Sequence, residues 1–250
     1  VCLTGVGITL TNLLKPAEAA PMLREALRIR EEISDVAGQS LTLVGLGRAA
    51  RESGDLEEAI VWFEKARDFA CRAGSPHYVQ SALIELSLTR YRQGRFESAE
   101  EIASRAIVEA STGEPCMDLL WAHYHRGRAR LARGDASALD DFREGQRVAR
   151  KLGATEDTGI FGAALAVAEA RYGDPGMART TLAEVARGLA TKGPGLGVLD
   201  ACLDAARAAE ALGEPVEANR FLQSAEDLAR ATGHEEALRR VQSARAALRG

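Results

Sequence analysis

A single interval of about 40 residues runs through this 250-residue sequence and limits what it can fold into. A glycine followed by a polar or charged residue recurs at Gly54-Asp55, Gly94-Arg95, Gly134-Asp135, Gly173-Asp174 and Gly213-Glu214, with spacings of 40, 40, 39 and 40. A second ladder, Gly74, Gly113, Gly153, Gly193 and Gly233, is offset by about half a period. A third, of small residues, runs Ala19, Ala59, Ala99, Ala138, Ala178 and Ala218. Self-similarity at a period of about 20 to 50 residues is the mark of stacked supersecondary units, each burying its apolar face only against its neighbours.

Between the glycines the segments are rich in Ala, Leu, Arg and Glu. Apolar residues recur at helical spacing, as in Leu43, Leu46, Gly47 and Ala50, then Ile60, Phe63, Ala66 and Ala70. Each half-period predicts a helix of about 15 to 18 residues, on the order of 25 Å long. Glycine accepts the left-handed conformation that ends a helix, and the polar residue after it helps open the next. Pro76, Pro115 and Pro194 follow the second ladder, where a proline begins a helix without losing a needed N–H. The pattern predicts an all-α solenoid of helix-turn-helix repeats at about 1–35, 36–74, 75–113, 114–153, 154–193 and 194–233. A C-terminal capping helix at 234–249 closes it, with Leu238, Val241, Ala244 and Leu248 on one side and Arg239, Arg240, Arg245 and Arg249 on the other.

The run Leu43-x-x-Leu46-Gly47-x-x-Ala50, followed by Gly54-Asp55-Leu56-Glu57-Glu58-Ala59-Ile60 and then Phe63 and Ala66, resembles the tetratricopeptide repeat (TPR). The resemblance covers nearly the whole chain in six copies and is strongest at residues 40 to 66. It implies a TPR-like right-handed α-solenoid in which small residues at Gly47 and Ala59 let the two helices of a unit cross closely. The copies depart from the family pattern in places. Leu43 or Leu83 stands where the family has a large aromatic, Ala50 stands where it has a second, the closing proline is missing, and Arg126 replaces a leucine. The period of 40 instead of about 34 lengthens the helices by about a turn. In this it resembles the TPR arrays of large bacterial regulators: the maltose-activator type of LuxR-family protein, the SARP-type antibiotic regulators, and the TPR tails of bacterial Ser/Thr kinases.

Charge argues against several functions. Lys+Arg 32 and Asp+Glu 36 are interspersed and the formal net charge is −4, so the electrostatic footprint of a nucleic-acid binder is missing. No stretch reaches the 18 or so apolar residues of a membrane helix. Cys2, Cys71, Cys116 and Cys202 are far apart, with neither disulfide nor zinc-ligand spacing, which leads to the expectation of a reducing, cytoplasmic setting. The first copy lacks a polar outer cover and no initiator Met or signal peptide precedes it, so a further N-terminal domain of a longer protein is expected.

Catalytic signatures are lacking. His123 and His125, two apart on one helix, point to different faces and cannot chelate one metal together; they are expected to be partly exposed polar residues. Gly5-x-Gly7 follows no strand and heads no phosphate loop. Gly193-Pro194-Gly195-x-Gly197 is expected to be a flexible turn between repeats. The acidic pairs Glu31-Glu32, Glu57-Glu58, Glu100-Glu101 and Glu235-Glu236 are expected on helix surfaces, not as general acid–base partners. No enzyme activity, metal or cofactor is expected.

Stacked helix pairs leave a groove lined by the first helix of each repeat. By the TPR resemblance, repeats two to four present Arg48, Arg51, Tyr91, Arg92, Trp121, Tyr124, His125 and Arg128 there. Arginine and aromatic side chains anchor interfaces through bidentate carboxylate contacts and rigid apolar area. The expected function is a non-catalytic scaffold for protein–protein or peptide interaction, its partner an acidic or carboxylate-bearing segment. Against this stands the plainer expectation that arginine is simply abundant and that Trp121 and Tyr124 pack between repeats. The alternative function is an effector sensor, with a small molecule or signalling peptide in the groove. The lysine and asparagine clamp of chaperone-tail-binding TPR proteins is not reproduced, so such tails are not expected partners.

Overall fold

Prolines, acidic side chains and glycines set where the helices start and stop. A computed structural model describes residues 2–110, 116–154 and 158–248, and among these there are thirteen helices and no strand. They follow one another as pairs: α1 (Cys2–Asn12) with α2 (Pro16–Glu32), α3 (Val36–Ser53) with α4 (Leu56–Arg72), and α5 (Pro76–Arg92) with α6 (Phe96–Ala110). Then come α7 (Met117–Ala132) with α8 (Ala138–Leu152), α9 (Thr158–Tyr172) with α10 (Pro175–Leu189), α11 (Leu196–Ala211) with α12 (Pro215–Thr232), and last α13 (Glu235–Ala247). Pro16, Pro76, Pro175 and Pro215 open their helices, where a missing N–H costs nothing. Asp35, Asp55 and Asp174 cap α3, α4 and α10, their carboxylates accepting the N–H of Gly38, Glu58 and Gly176.

Both glycine ladders mostly do what their spacing predicts: Gly54, Gly74, Gly94, Gly134, Gly153, Gly213 and Gly233 all take positive φ. Two rungs differ. Gly173 has no left-handed φ; its need is room, because a Cβ there would stand 2.0 Å from Glu169 Oε2. That carboxylate accepts the Asp174 N–H at 3.1 Å and so closes the end of α9 from within. Gly193 also lacks a positive φ, since α10 has already ended, with Ala190 as its C-cap. Pro194 does not begin a helix; α11 starts two residues later behind Gly195. Nor is Gly197 part of a flexible turn. It lies in α11, where a Cβ would meet Ile160 Cδ1 at 2.6 Å. Val1, Gly113, Pro115 and Arg249 lie outside the described residues.

The chain divides into two compact units, Val1–Ala129 and Arg130–Gly250. In the first, the pairing of small with large residues is explicit. Ala59, Phe63 and Ala66 of α4 are fully buried, and a Cβ on Gly47 of α3 would fall 2.5 Å from the Phe63 ring. Burying a phenyl group of this kind contributes on the order of 2 to 3 kcal/mol, so the bare backbone at Gly47 is exchanged for aromatic contact. Leu83, Ile84, Ala106, Ile107 and Ala122 form the next cluster along, with Trp121 packed against it. In the second unit Phe142, Phe161, Leu199 and Leu222 are buried in the same manner. There α13 buries Ala237, Val241 and Ala244, while Arg240 and Arg245 fold back to pair with Asp200 of α11 and Glu226 of α12. No helix among the described residues is long and apolar enough to cross a membrane.

Candidate functional site

The first helices of successive pairs, α3, α5 and α7, carry all eight residues expected at the groove. The C-terminal halves of α3 and α5, helices of 18 and 17 residues, bring charged side chains from neighbouring repeats together. Arg51 is buried, and its Nε donates to Glu52 Oε1 at 3.0 Å while Nη1 donates to Glu85 Oε2 at 2.5 Å. The other oxygen of Glu52 accepts from Arg92 Nη1 at 2.8 Å, so one carboxylate joins α3 to α5. Arg48 hangs at the edge of this network, with Nη2 donating to Asn12 Oδ1 at 2.6 Å and Nε standing 3.6 Å from Glu85 Oε1. That Nε is itself buried without a hydrogen-bond partner.

Burial works against charge on both Arg51 and Glu85, and their proximity reverses the outcome. Glu85 and Glu52 raise the pKa of the Arg51 guanidinium, and Arg51 and Arg48 hold the Glu85 carboxyl below the usual carboxylate range. The network thus sets three guanidiniums, those of Arg48, Arg51 and Arg92, against the carboxylates of Glu52 and Glu85. It is joined at α7 by an aromatic group. Trp121 meets Tyr124 edge-on at 5.5 Å and lies against His125 at 6.1 Å, while the Arg128 guanidinium stands 4.7 Å from the Tyr91 ring centre and 5.5 Å from that of Tyr124.

Arg51, Tyr124, His125 and Arg128 are buried, whereas Arg48, Tyr91, Arg92 and Trp121 are partly exposed. Half of the expected residues therefore hold the surface from below and half can be touched. His123 and His125 are both buried, not partly exposed, because α7 is covered on both sides of that turn. Asn12 and Glu52 are participants that pattern reading missed. A signal existed for Glu52: it precedes Arg92 by 40 residues, so opposite charges occupy one column in successive copies. Among the described residues no three His, Cys, Asp or Glu side chains gather in a way that could hold a metal. Burial pushes the Cys202 thiol up to about 11, which keeps it unreactive.

Residues 2–72 and 39–108 match the model of the tetratricopeptide repeat family. Over residues 2–108 the chain carries tetratricopeptide repeats. Solved structures extend the TPR-like fold over the remainder. A Rap protein complexed with competence and sporulation factor aligns with a TM-score of 0.75 at 14% identity, covering 94% of this chain and 64% of that one. Aspartyl phosphate phosphatase F from Bacillus subtilis aligns with a TM-score of 0.72 at 15% identity, covering 90% of this chain and 58% of that one. NprR in complex with its cognate peptide NprX aligns with a TM-score of 0.67 at 13% identity, covering 98% of this chain and 72% of that one. This chain therefore spans less than two thirds of each of the first two. Curated protein sequences contain no significant match. The TPR-like architecture is the property these likenesses establish: an all-α solenoid of helix-turn-helix repeats.

Proposed function

We propose that the first unit is a non-catalytic recognition surface for a peptide or protein segment, within a larger cytoplasmic regulatory protein of bacterial type. The domain organisation that goes with this is one array of six repeats and a capping helix. The observation that carries the reading is Arg48. It is the arginine of α3 that keeps contact with solvent, its pairing to Glu85 is long at 3.6 Å, and Tyr91 and Trp121 offer part-exposed aromatic area on the next two first helices. Its support from outside is that two solved structures of the same fold are complexes, one with competence and sporulation factor and one with a cognate peptide.

An acidic side chain of the partner segment would take a guanidinium edge of Arg48 and relieve the long contact with Glu85. Arg51, Tyr124, His125 and Arg128 act beneath, and the part-exposed Arg92 ties α5 to Glu52 of α3, fixing the helices that present Arg48, Tyr91 and Trp121. The test is an array of short peptides probed with the purified chain and with Arg48→Glu and Trp121→Ala. The expected result is capture of acidic-aromatic peptides by the parent chain, lost in Arg48→Glu at unchanged helicity. Equal capture by the parent chain and Arg48→Glu would remove the assignment.

A further inference from the structure

Asn12, Glu52 and Arg92 occupy one place in three successive copies, 40 residues apart. The first two each reach forward from their own helix to an arginine of the next first helix. Glu52 Oε2 accepts from Arg92 Nη1 at 2.8 Å, and Asn12 Oδ1 accepts from Arg48 Nη2 at 2.6 Å. The task is shared but the chemistry differs. A carboxylate brings charge to its guanidinium and a primary amide brings only a lone pair, so the hydrogen bond to Arg92 is charge-assisted at both ends and that to Arg48 at one.

The amide also leaves part of the guanidinium unanswered. Nε and Nη2 form one edge of Arg48, an edge that a carboxylate can grip with both oxygens. Asn12 offers a single oxygen, to Nη2, while Nε is buried without a hydrogen-bond partner and stands 3.6 Å from Glu85 Oε1. The other oxygen of Glu85 is held by Arg51 Nη1 at 2.5 Å, which keeps that carboxylate from turning fully onto Arg48.

The corner that carries Asn12 holds it in place. The Leu14 N–H closes on the Thr11 carbonyl at 3.1 Å and the Lys15 N–H on the Leu10 carbonyl at 2.9 Å. Leu14 takes a φ of +63° where later turns use Gly54, Gly94, Gly134 and Gly213, and burial of its side chain fixes that conformation. The Asn12 side chain is exposed, so it can swing aside without moving the helix.

We propose that Asn12 is a stand-in ligand: its amide oxygen occupies the Nε–Nη2 edge of Arg48 until a partner's carboxylate displaces it. The exchange replaces a neutral acceptor of one hydrogen bond by a charged acceptor of two. Asn12 thereby sets a threshold for binding. A carboxylate clears it, whereas an amide or hydroxyl gains nothing by taking the place of Asn12. This rests on the reading of Arg48 as the anchor for an acidic segment and adds the residue that guards it.

The test titrates the whole chain into three fluorescein-labelled peptides, followed by anisotropy: Gly-Trp-Gly-Glu-Gly amide, its Gln counterpart, and that counterpart with a free C-terminus. Whichever carboxylate binds, side-chain or terminal, Asn12→Ala should tighten it about three- to tenfold and Asn12→Asp, a charged competitor, should weaken it about tenfold or more. Both positions keep contact with solvent, so the variants should fold. Equal affinities for the parent chain and both variants would overturn this proposal and leave Arg48 as the anchor; no binding of either acid by any of them would remove both readings. Urea midpoints supply a readout that needs no peptide. Asn12→Asp should be more stabilising in the parent chain than in the Arg48→Met background. The same effect in both backgrounds would place Asn12 off Arg48 and overturn the proposal whatever the peptides do.

Discussion

Two glycines in the first unit, 40 residues apart from their nearest analogues, show what a single hydrogen atom decides. Gly47→Ala puts a methyl 2.5 Å from the Phe63 ring, a clash that must be relieved by moving an aromatic group at zero exposure. A loss of about 1 to 3 kcal/mol is expected. Gly5→Ala meets nothing and should gain about 0.5 to 1 kcal/mol from helix propensity; urea denaturation of both variants checks the pair. The charge network gives a pH signature. Glu85 has a folded pKa below its ordinary value of 4.5, so its contribution to stability is whole above that pH and is lost as the pH falls through the depressed folded value. Glu85→Gln should accordingly flatten the loss of stability between about pH 5 and pH 3, measured by urea midpoints across that window. Glu52→Ala, by contrast, leaves Arg51 and Arg92 short of a buried partner and should cost roughly 3 to 5 kcal/mol at neutral pH. The small residue at Gly47 was legible in the sequence, because close helix crossing demands it. The buried status of Arg51 and Arg128 was not, because an arginine on a helix face reads the same whether solvent or a neighbouring carboxylate or ring receives it.

Among the elements, α13 depends on an unusual cap. His234 is buried, and its Nδ1 accepts the Ala237 N–H at 2.8 Å, which fixes the neutral ring with that nitrogen unprotonated. His234→Ala should cost about 1 kcal/mol and speed amide exchange along 235–247, while His234→Asn should restore most of the protection. Hydrogen exchange read by mass spectrometry over that segment distinguishes the outcomes. The positions of the helix pairs were written in the glycine and alanine ladders, and the seven left-handed glycines lie where the spacing put them. The rungs that failed did so for local reasons. At Gly173 a carboxylate from the same helix closes the end, and at Gly193 the helix had already stopped, so an identical residue at an identical interval met a different physical need.

On the scale of the whole molecule, two compact units share a single repeat plan, and stability in such arrays is approximately a sum of repeat and nearest-neighbour terms. Gly47→Ala should therefore raise amide exchange in residues 36–72 and their neighbours far more than in 158–248; a uniform increase would mean that the array unfolds as one body. The solenoid as a class was legible because periodicity survives substitution. The contacts that make one junction unlike the next were not, since each uses different side chains. The bridge from Glu52 to Arg92 has a lasting consequence for how such a chain can evolve or be engineered. Its two ends occupy the same place in consecutive copies, so the second and third modules recognise each other as lock and key. Duplicating, deleting or shuffling whole modules would keep the helix-turn-helix plan yet strand one buried charge, so copy order here is inherited information and not free to drift.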